Sequence, residues 1–147
     1  MPDFTLVTDS TKWHSPRYGT PGGTIQYSFW TGYQPGQGFL FTQGLSSQMQ
    51  AETREAFARW STFANIDFQE IPDGPNATLG IRLGVAYSID GTGGTEALTH
   101  RIWSGFKNIT AAEIEVDPAE GWHLVNGRLY DSFGNSFYHV ILHEIGH

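Results

Sequence analysis

A chain of 147 residues fits one domain able to bury about two thirds of its unfolded surface, enough for a real core. With 39% apolar and only 16% charged residues, 18 Gly and five Trp, it reads as a folded, aromatic-rich and loop-rich globule rather than a disordered tail. The charge of -7 comes without any Lys/Arg cluster, which argues against nucleic acid as a partner, and the absence of cysteine excludes disulfides and thiolate metal sites together.

Residues 1–23 are rich in turn formers, with no basic segment followed by an apolar run and hence no visible signal peptide; nowhere is there an apolar run of about 18 residues that would span a membrane. Ile25, Tyr27 and Phe29 alternate with Gln26 and Ser28, predicting a half-buried strand. After a Gly/Pro-rich loop over 32–38, Ser47-x-x-Gln50 reads as a capping box opening a helix. Met49, Ala56, Phe57, Trp60, Phe63 and Ala64 supply its inner face, with Glu52, Arg54, Glu55 and Arg59 on the other side. Ile66 and Phe68 begin a second strand, and Leu79, Ile81 and Leu83 alternate in a third. From 84 to 112 the pattern is irregular, its tightest turn being Asp90-Gly91-Thr92-Gly93-Gly94, after which Ile114 and Val116 mark one more short strand. A loop runs to about Asn135, where Asn135 or Ser136 can cap a last helix that turns Phe137, Val140, Ile141 and Ile145 inward.

That last helix carries His143-Glu144-Ile145-Gly146-His147. Residues four apart share a helical face, so His143 and His147 can grip one zinc ion at about 2.0–2.1 Å per bond. Glu144 lies beside the metal, where its carboxylate can take a proton from a polarised water and pass it to a leaving amine. Such catalytic sites generally have three protein ligands. His139 shares the face, but at 1.5 Å rise per residue positions 139 and 147 lie about 12 Å apart along the axis, too far to converge. His139 therefore reads as a packed or supporting histidine, leaving His14, His100 and His123 as possible third donors.

The helix from Gly134 to His147 resembles the active-site helix of the metzincins, in particular the matrixins and serralysins, whose motif continues as H-E-x-x-H-x-x-G-x-x-H above a Met-turn. The resemblance extends over Lys12-Trp13, Thr24 to Phe29, Ala58-Arg59-Trp60 and Ile66 to Glu70, thus over nearly the whole chain. It implies an α/β (α+β) fold, the metzincin upper subdomain: a twisted, mostly parallel sheet with one antiparallel edge strand and two long helices. The third zinc histidine, the Met-turn and the lower subdomain are expected to be missing from 1–147. Asp90-Gly91-Thr92-Gly93-Gly94 is similar to the matrixin calcium loop, and Glu113 to Trp122 to the segment closing it. Carried over, Asp90, Asp117 and Glu120 would supply carboxylates and Gly91 to Gly93 carbonyls to calcium, which takes hard oxygen ligands. Glu115 and the stretch Gly84-Val85-Ala86-Tyr87 stand where matrixins usually hold structural-zinc ligands, so no structural zinc is expected.

The implied function is a zinc metalloendopeptidase acting on extended polypeptide. The substrate would add as a strand along an edge near Thr95, Leu98 and His100. The chain most resembles bacterial secreted members that lack an N-terminal signal, which implies an extracellular location, the cytoplasm being the alternative. Two readings from other classes stand beside it: a non-catalytic metal-binding remnant, and a glycan-binding module using the aromatic surplus.

Overall fold

A computed structural model describes residues 12–13, 23–33, 41–64, 66–87, 89–104 and 108–147. The elements in chain order are β1 (Lys12–Trp13), β2 (Thr24–Phe29), β3 (Phe41–Gln43), α1 (Ser47–Ala64), β4 (Asp67–Glu70), β5 (Ile81–Ala86), β6 (Ala97–Ser104), β7 (Asn108–Val116), β8 (His123–Val125), β9 (Arg128–Tyr130) and α2 (Phe137–Gly146). Short 3-10 turns at Pro75–Leu79 and Pro118–Glu120 complete them.

The main sheet runs β4-β2-β5-β7-β6, with β1 also on β7 and β3 on β5. Pairings between β2, β4, β5, β7 and β1 are parallel, whereas β6 lies antiparallel on β7 and β3 antiparallel on β5. The fold is therefore α+β: a mostly parallel sheet with an antiparallel edge and two helices, as the sequence implied. Central parallel strands are covered on both faces. Accordingly all six residues of β5 are buried, as are residues 111–116 of β7.

The core gathers Ile25, Tyr27 and Phe29 of β2, Phe57 of α1, Leu83, Ile114 and Val116 of the sheet, and Phe137 and Ile141 of α2. Tyr27 and Phe57 stack with centroids 4.0 Å apart, and Phe68 closes on Phe57 at 4.9 Å. Aromatic pairs of this kind add about 0.5–1.5 kcal/mol beyond their buried area.

Several local expectations change. Helix α1 is capped by Ser46, whose Oγ accepts from Met49 N at 3.2 Å, one residue before the expected Ser47. Glu52, expected on the solvent side, is 1% exposed, while Phe63, expected inside, is 69% exposed beneath the Arg59 guanidinium. Leu79 belongs to a 3-10 turn and is exposed, so the third strand begins at Ile81. The stretch expected to be irregular contains the long β6–β7 hairpin. The loop after Trp122 contains a second hairpin, β8–β9, turning on Asn126 (φ 50°) and Gly127 (φ 78°). An Asn-Gly pair with both residues at positive φ is the preferred two-residue turn, because its twist matches that of the strands.

Two buried acids hold these pieces in place. Glu52 Oε2 accepts from Leu129 N at 3.0 Å and from Gln48 Nε2 at 3.1 Å, tying β9 to α1. On β7, Glu113 faces its register partner Arg82 at 3.5 Å, and Arg82 reaches Asp73 at 3.1 Å and the Tyr33 carbonyl at 2.7 Å.

Candidate metal centre

The chain reaches α2 through a loop folded around Asp131. Its buried carboxylate accepts from Phe133 N and Asn135 N, both at 2.8 Å, and from Asn135 Nδ2 at 2.8 Å. Ser136 follows as the N-cap, its Oγ facing His139 N. Phe137, Ile141 and Glu144 point inward, one helical turn apart, and this sets the opposite face, with His139, His143 and His147, toward solvent.

His143 and His147 aim at one another: their Nε2 atoms are 2.9 Å apart, with ring planes at 84°. Two Zn–N bonds of about 2.0–2.1 Å at a tetrahedral angle place the nitrogens about 3.3 Å apart, so a small opening of the pair admits the ion. Two imidazole nitrogens converging beside a carboxylate make a donor set whose chemistry fits zinc. Glu144 lies between them in sequence and is 8% exposed, with Thr99 Oγ1 at 2.5 Å from its Oε2. A carboxylate oxygen of Glu144 also falls within 4.8 Å of both imidazole nitrogens.

The histidines considered as a third donor are placed elsewhere. His100 Nε2 lies 3.5 Å from Glu115 on β7, and burial holds its pKa below the ordinary value. His123 Nδ1 faces the Gly121 carbonyl at 3.0 Å. His139 lies one turn up the same helix, and His14 lies outside the described residues. Among the described residues, the zinc-like set is thus His143, Glu144 and His147.

A second set brings together Asp90, Asp117 and Glu120, whose oxygens approach within 4.8 Å of one another. Asp117 and Glu120 are fully buried. Asp117 accepts from Ile89 N at 2.8 Å and Ala119 N at 2.8 Å, and Glu120 accepts from Gly93 N at 3.1 Å. Gly91 (φ 89°) and Gly93 (φ 81°) give the loop its turn, and a Cβ on Gly94 would lie 2.3 Å from Asp90 Oδ1. Three converging carboxylates repel one another unless a cation or protons intervene, and oxygen donors of this kind suit calcium.

Thr95, expected on the substrate edge, precedes β6; its N–H and hydroxyl both donate to Asp90, at 2.8 and 2.7 Å. Leu98 and His100 do lie on β6, the outer strand of the sheet, with Leu98 38% exposed. Between that strand and α2 opens a cleft of about 630 Å³, lined by Glu96, Tyr130, Asn135, His139, His143 and Glu144. Glu96 has its pKa pushed up to about 7, chiefly by burial and then by the neighbouring Asp131 carboxylate, against the hydrogen bond from Asn135. Sequence reasoning gave no functional part to Glu96 and Asn135, which line the cleft, or to Thr99 and Asp131, which hydrogen-bond to Glu144 and Asn135 of its lining, because none belongs to a spaced motif.

Comparison with known proteins agrees with this geometry. A probable matrix metalloproteinase, 095L, of Invertebrate iridescent virus 3 is 32% identical over 97 residues, which are 63% of this chain and 25% of the viral protein. The chain thus spans about a quarter of the length of the curated relative it matches. The family model described as Matrixin matches residues 41–147. Since that match covers well over half of the sequence and includes the helix on which His143 and His147 converge, the chain belongs to the matrixin family.

Proposed function

We propose that this chain forms the upper wall and metal grip of a zinc metalloendopeptidase. The observation that carries the reading is the convergence of His143 Nε2 and His147 Nε2, 2.9 Å apart, beside the largely buried carboxylate of Glu144. Zinc held there would supply Lewis-acid polarisation of a peptide carbonyl and make water a stronger acid. Glu144 would receive the proton of the attacking water on a carboxylate oxygen and deliver it to the departing amine. Thr99 would fix which Glu144 oxygen remains free. The outer strand β6 would align an extended polypeptide by main-chain hydrogen bonds, with Leu98 and His100 on the same face beneath it. Asp90, Asp117 and Glu120, with the carbonyls of Gly91 and Gly93, would hold calcium as a brace for the loop that leads into β6. Extracellular calcium sites work in the range of about 10⁻⁴–10⁻³ M. A location outside the cell suits such a brace.

A non-catalytic metal-binding remnant is the second reading, favoured by one observation: two histidines, rather than three, converge among the described residues. The two are separated by incubating the 147-residue chain with zinc and casein, then repeating with chelator and with Glu144→Gln. Chelator-sensitive cleavage that Glu144→Gln abolishes supports the peptidase. Stoichiometric zinc without cleavage supports the remnant, and a chain that takes up no zinc removes both.

A further inference from the structure

We infer that Trp60, on α1, is a positioning residue for the metal grip, clamping the last turn of α2 through the residue before each zinc-facing histidine. The inference rests on His143 and His147 acting as metal ligands.

His143 belongs to the final turn of a helix of only ten residues and His147 is its C-cap, and the last main-chain carbonyls of a helix have no partner within it. Short helices are marginal by themselves and fray from their ends. A grip built from positions four apart exists only while the turn between them stays closed. Something outside the helix must hold that turn.

The Trp60 indole does so at two points. Its Nε1–H donates to the carbonyl oxygen of Leu142 at 2.8 Å, in the peptide that leads into His143. Its six-membered ring lies against Gly146, the residue before His147, so closely that a Cβ added there would be 2.8 Å from Cζ2. A Cβ contact that short does not occur without displacement, so the ring in this position requires a glycine at 146. From the opposite side, Thr99 Oγ1 lies 3.0 Å from the Glu144 carbonyl oxygen and Arg101 Nη1 donates to the His147 carbonyl at 3.2 Å. Trp60 is the member of this set that belongs to α1, and it transmits the packing of the core directly to the spacing of the two imidazoles. Trp is suited to the task because its ring nitrogen only donates, and a helical carbonyl has a second lone pair with which to accept.

The test is metal affinity of the full 147-residue chain, read by chelator competition with zinc and by the visible absorption of bound cobalt(II), which reports coordination. Trp60→Phe removes the N–H and the benzo edge; Gly146→Ala forces the ring aside. Each is expected to weaken zinc binding on the order of tenfold, the range seen when supports behind metal ligands are lost, and to alter the cobalt spectrum. Phe57→Leu, a core change in the same helix, serves as the control for lost stability alone. In Trp60→Phe the contact with a Cβ at 146 is vacated, so adding Gly146→Ala should cost no further affinity. Equal weakening by Phe57→Leu and Trp60→Phe, or additive losses in the double variant, would overturn the role of Trp60 while leaving the metal reading intact. Absence of zinc and cobalt binding by the unsubstituted chain overturns both.

Discussion

The Thr99 hydroxyl lies 2.5 Å from Glu144 Oε2 and 3.0 Å from the Glu144 main-chain oxygen. One side chain of the edge strand therefore touches both the acid and the backbone of the helix that presents the histidines. Register places Thr99 opposite Ile114 on β7, so its position is set from the middle of the sheet.

Thr99→Val keeps the shape of that contact and deletes its donor. Glu144 is 8% exposed, and a buried carboxylate that loses a hydrogen bond costs about 1–3 kcal/mol. The expected result is a urea unfolding midpoint lowered by that free energy divided by an unchanged slope. Pairing the change with Glu144→Gln should shrink the loss, since a neutral amide needs the donor less. An unchanged midpoint in Thr99→Val would mean that the hydroxyl contributes nothing to holding the acid.

Calcium should stabilise the chain through Asp90, Asp117 and Glu120. At about a hundredfold excess over the dissociation constant, a ligand bound only by the folded state adds about 2.7 kcal/mol, or roughly 5–10 °C in a domain of this size. Asp117→Asn should lose most of that shift, because the buried carboxylate is the one that faces both the loop and the following turn. Gly94→Ala should lose it too, since its Cβ would displace Asp90. Thermal unfolding with calcium, magnesium or chelator decides the matter: shifts of equal size with both metals, or in Asp117→Asn, would count against the site.

The pH dependence of stability has a signature from Glu96, whose pKa rises from 4.5 to about 7 on folding. A group whose pKa is higher when folded adds stability that is complete below its unfolded value and lost as pH rises through the folded one. Stability should thus fall between about pH 4.5 and pH 7 from this group. Glu96 keeps partial access to solvent, which limits the effect to about 1 kcal/mol. Asp131, pushed below its ordinary value by hydrogen bonds from Asn135 and Phe133 that outweigh its burial, contributes in the opposite sense and at lower pH. Glu96→Gln, measured by urea unfolding in chelator, should flatten the profile above pH 4.5 because the amide oxygen still accepts from Asn135. A profile identical to that of the unsubstituted chain would refute the shift.

Much of this was legible from spacing alone. The alternation of Ile25, Tyr27 and Phe29 gives β2, and the i, i+4 relation of His143 and His147 anticipates their convergence. Residues 97–112 were not legible, for a physical reason. On β6 the apolar Leu98, Ile102 and Trp103 are exposed, and on β7 the successive Ala111, Ala112 and Glu113 are all buried, so alternation marks a strand only from Ile114 and Val116, between which Glu115 is buried too. Inside, Glu113 meets Arg82 from β5, 31 residues away in sequence, and Glu115 lies beside His100 of the adjoining β6. The same holds for Trp60, whose helical spacing marks it only as an apolar position and conceals the hydrogen bond to Leu142.

Glu52 is the sharpest instance, and its role can be tested. Helical spacing puts it beside Arg54 and Glu55 on a charged face, yet it is 1% exposed and its Oε2 takes the Leu129 N–H at 3.0 Å. That bond links α1 to the β8–β9 hairpin, and Arg128 strengthens the link through its ion pair with Glu55. Glu52→Ala leaves a buried N–H without an acceptor and should cost about 1–3 kcal/mol. Glu52→Gln retains an acceptor and discards a buried charge, so its cost should be well under that of Ala. Amide exchange distinguishes this from general loosening: in Glu52→Ala the Leu129 amide should lose more protection than amides of β5. If Gln and Ala prove equally costly, the charge rather than the hydrogen bond secures the hairpin.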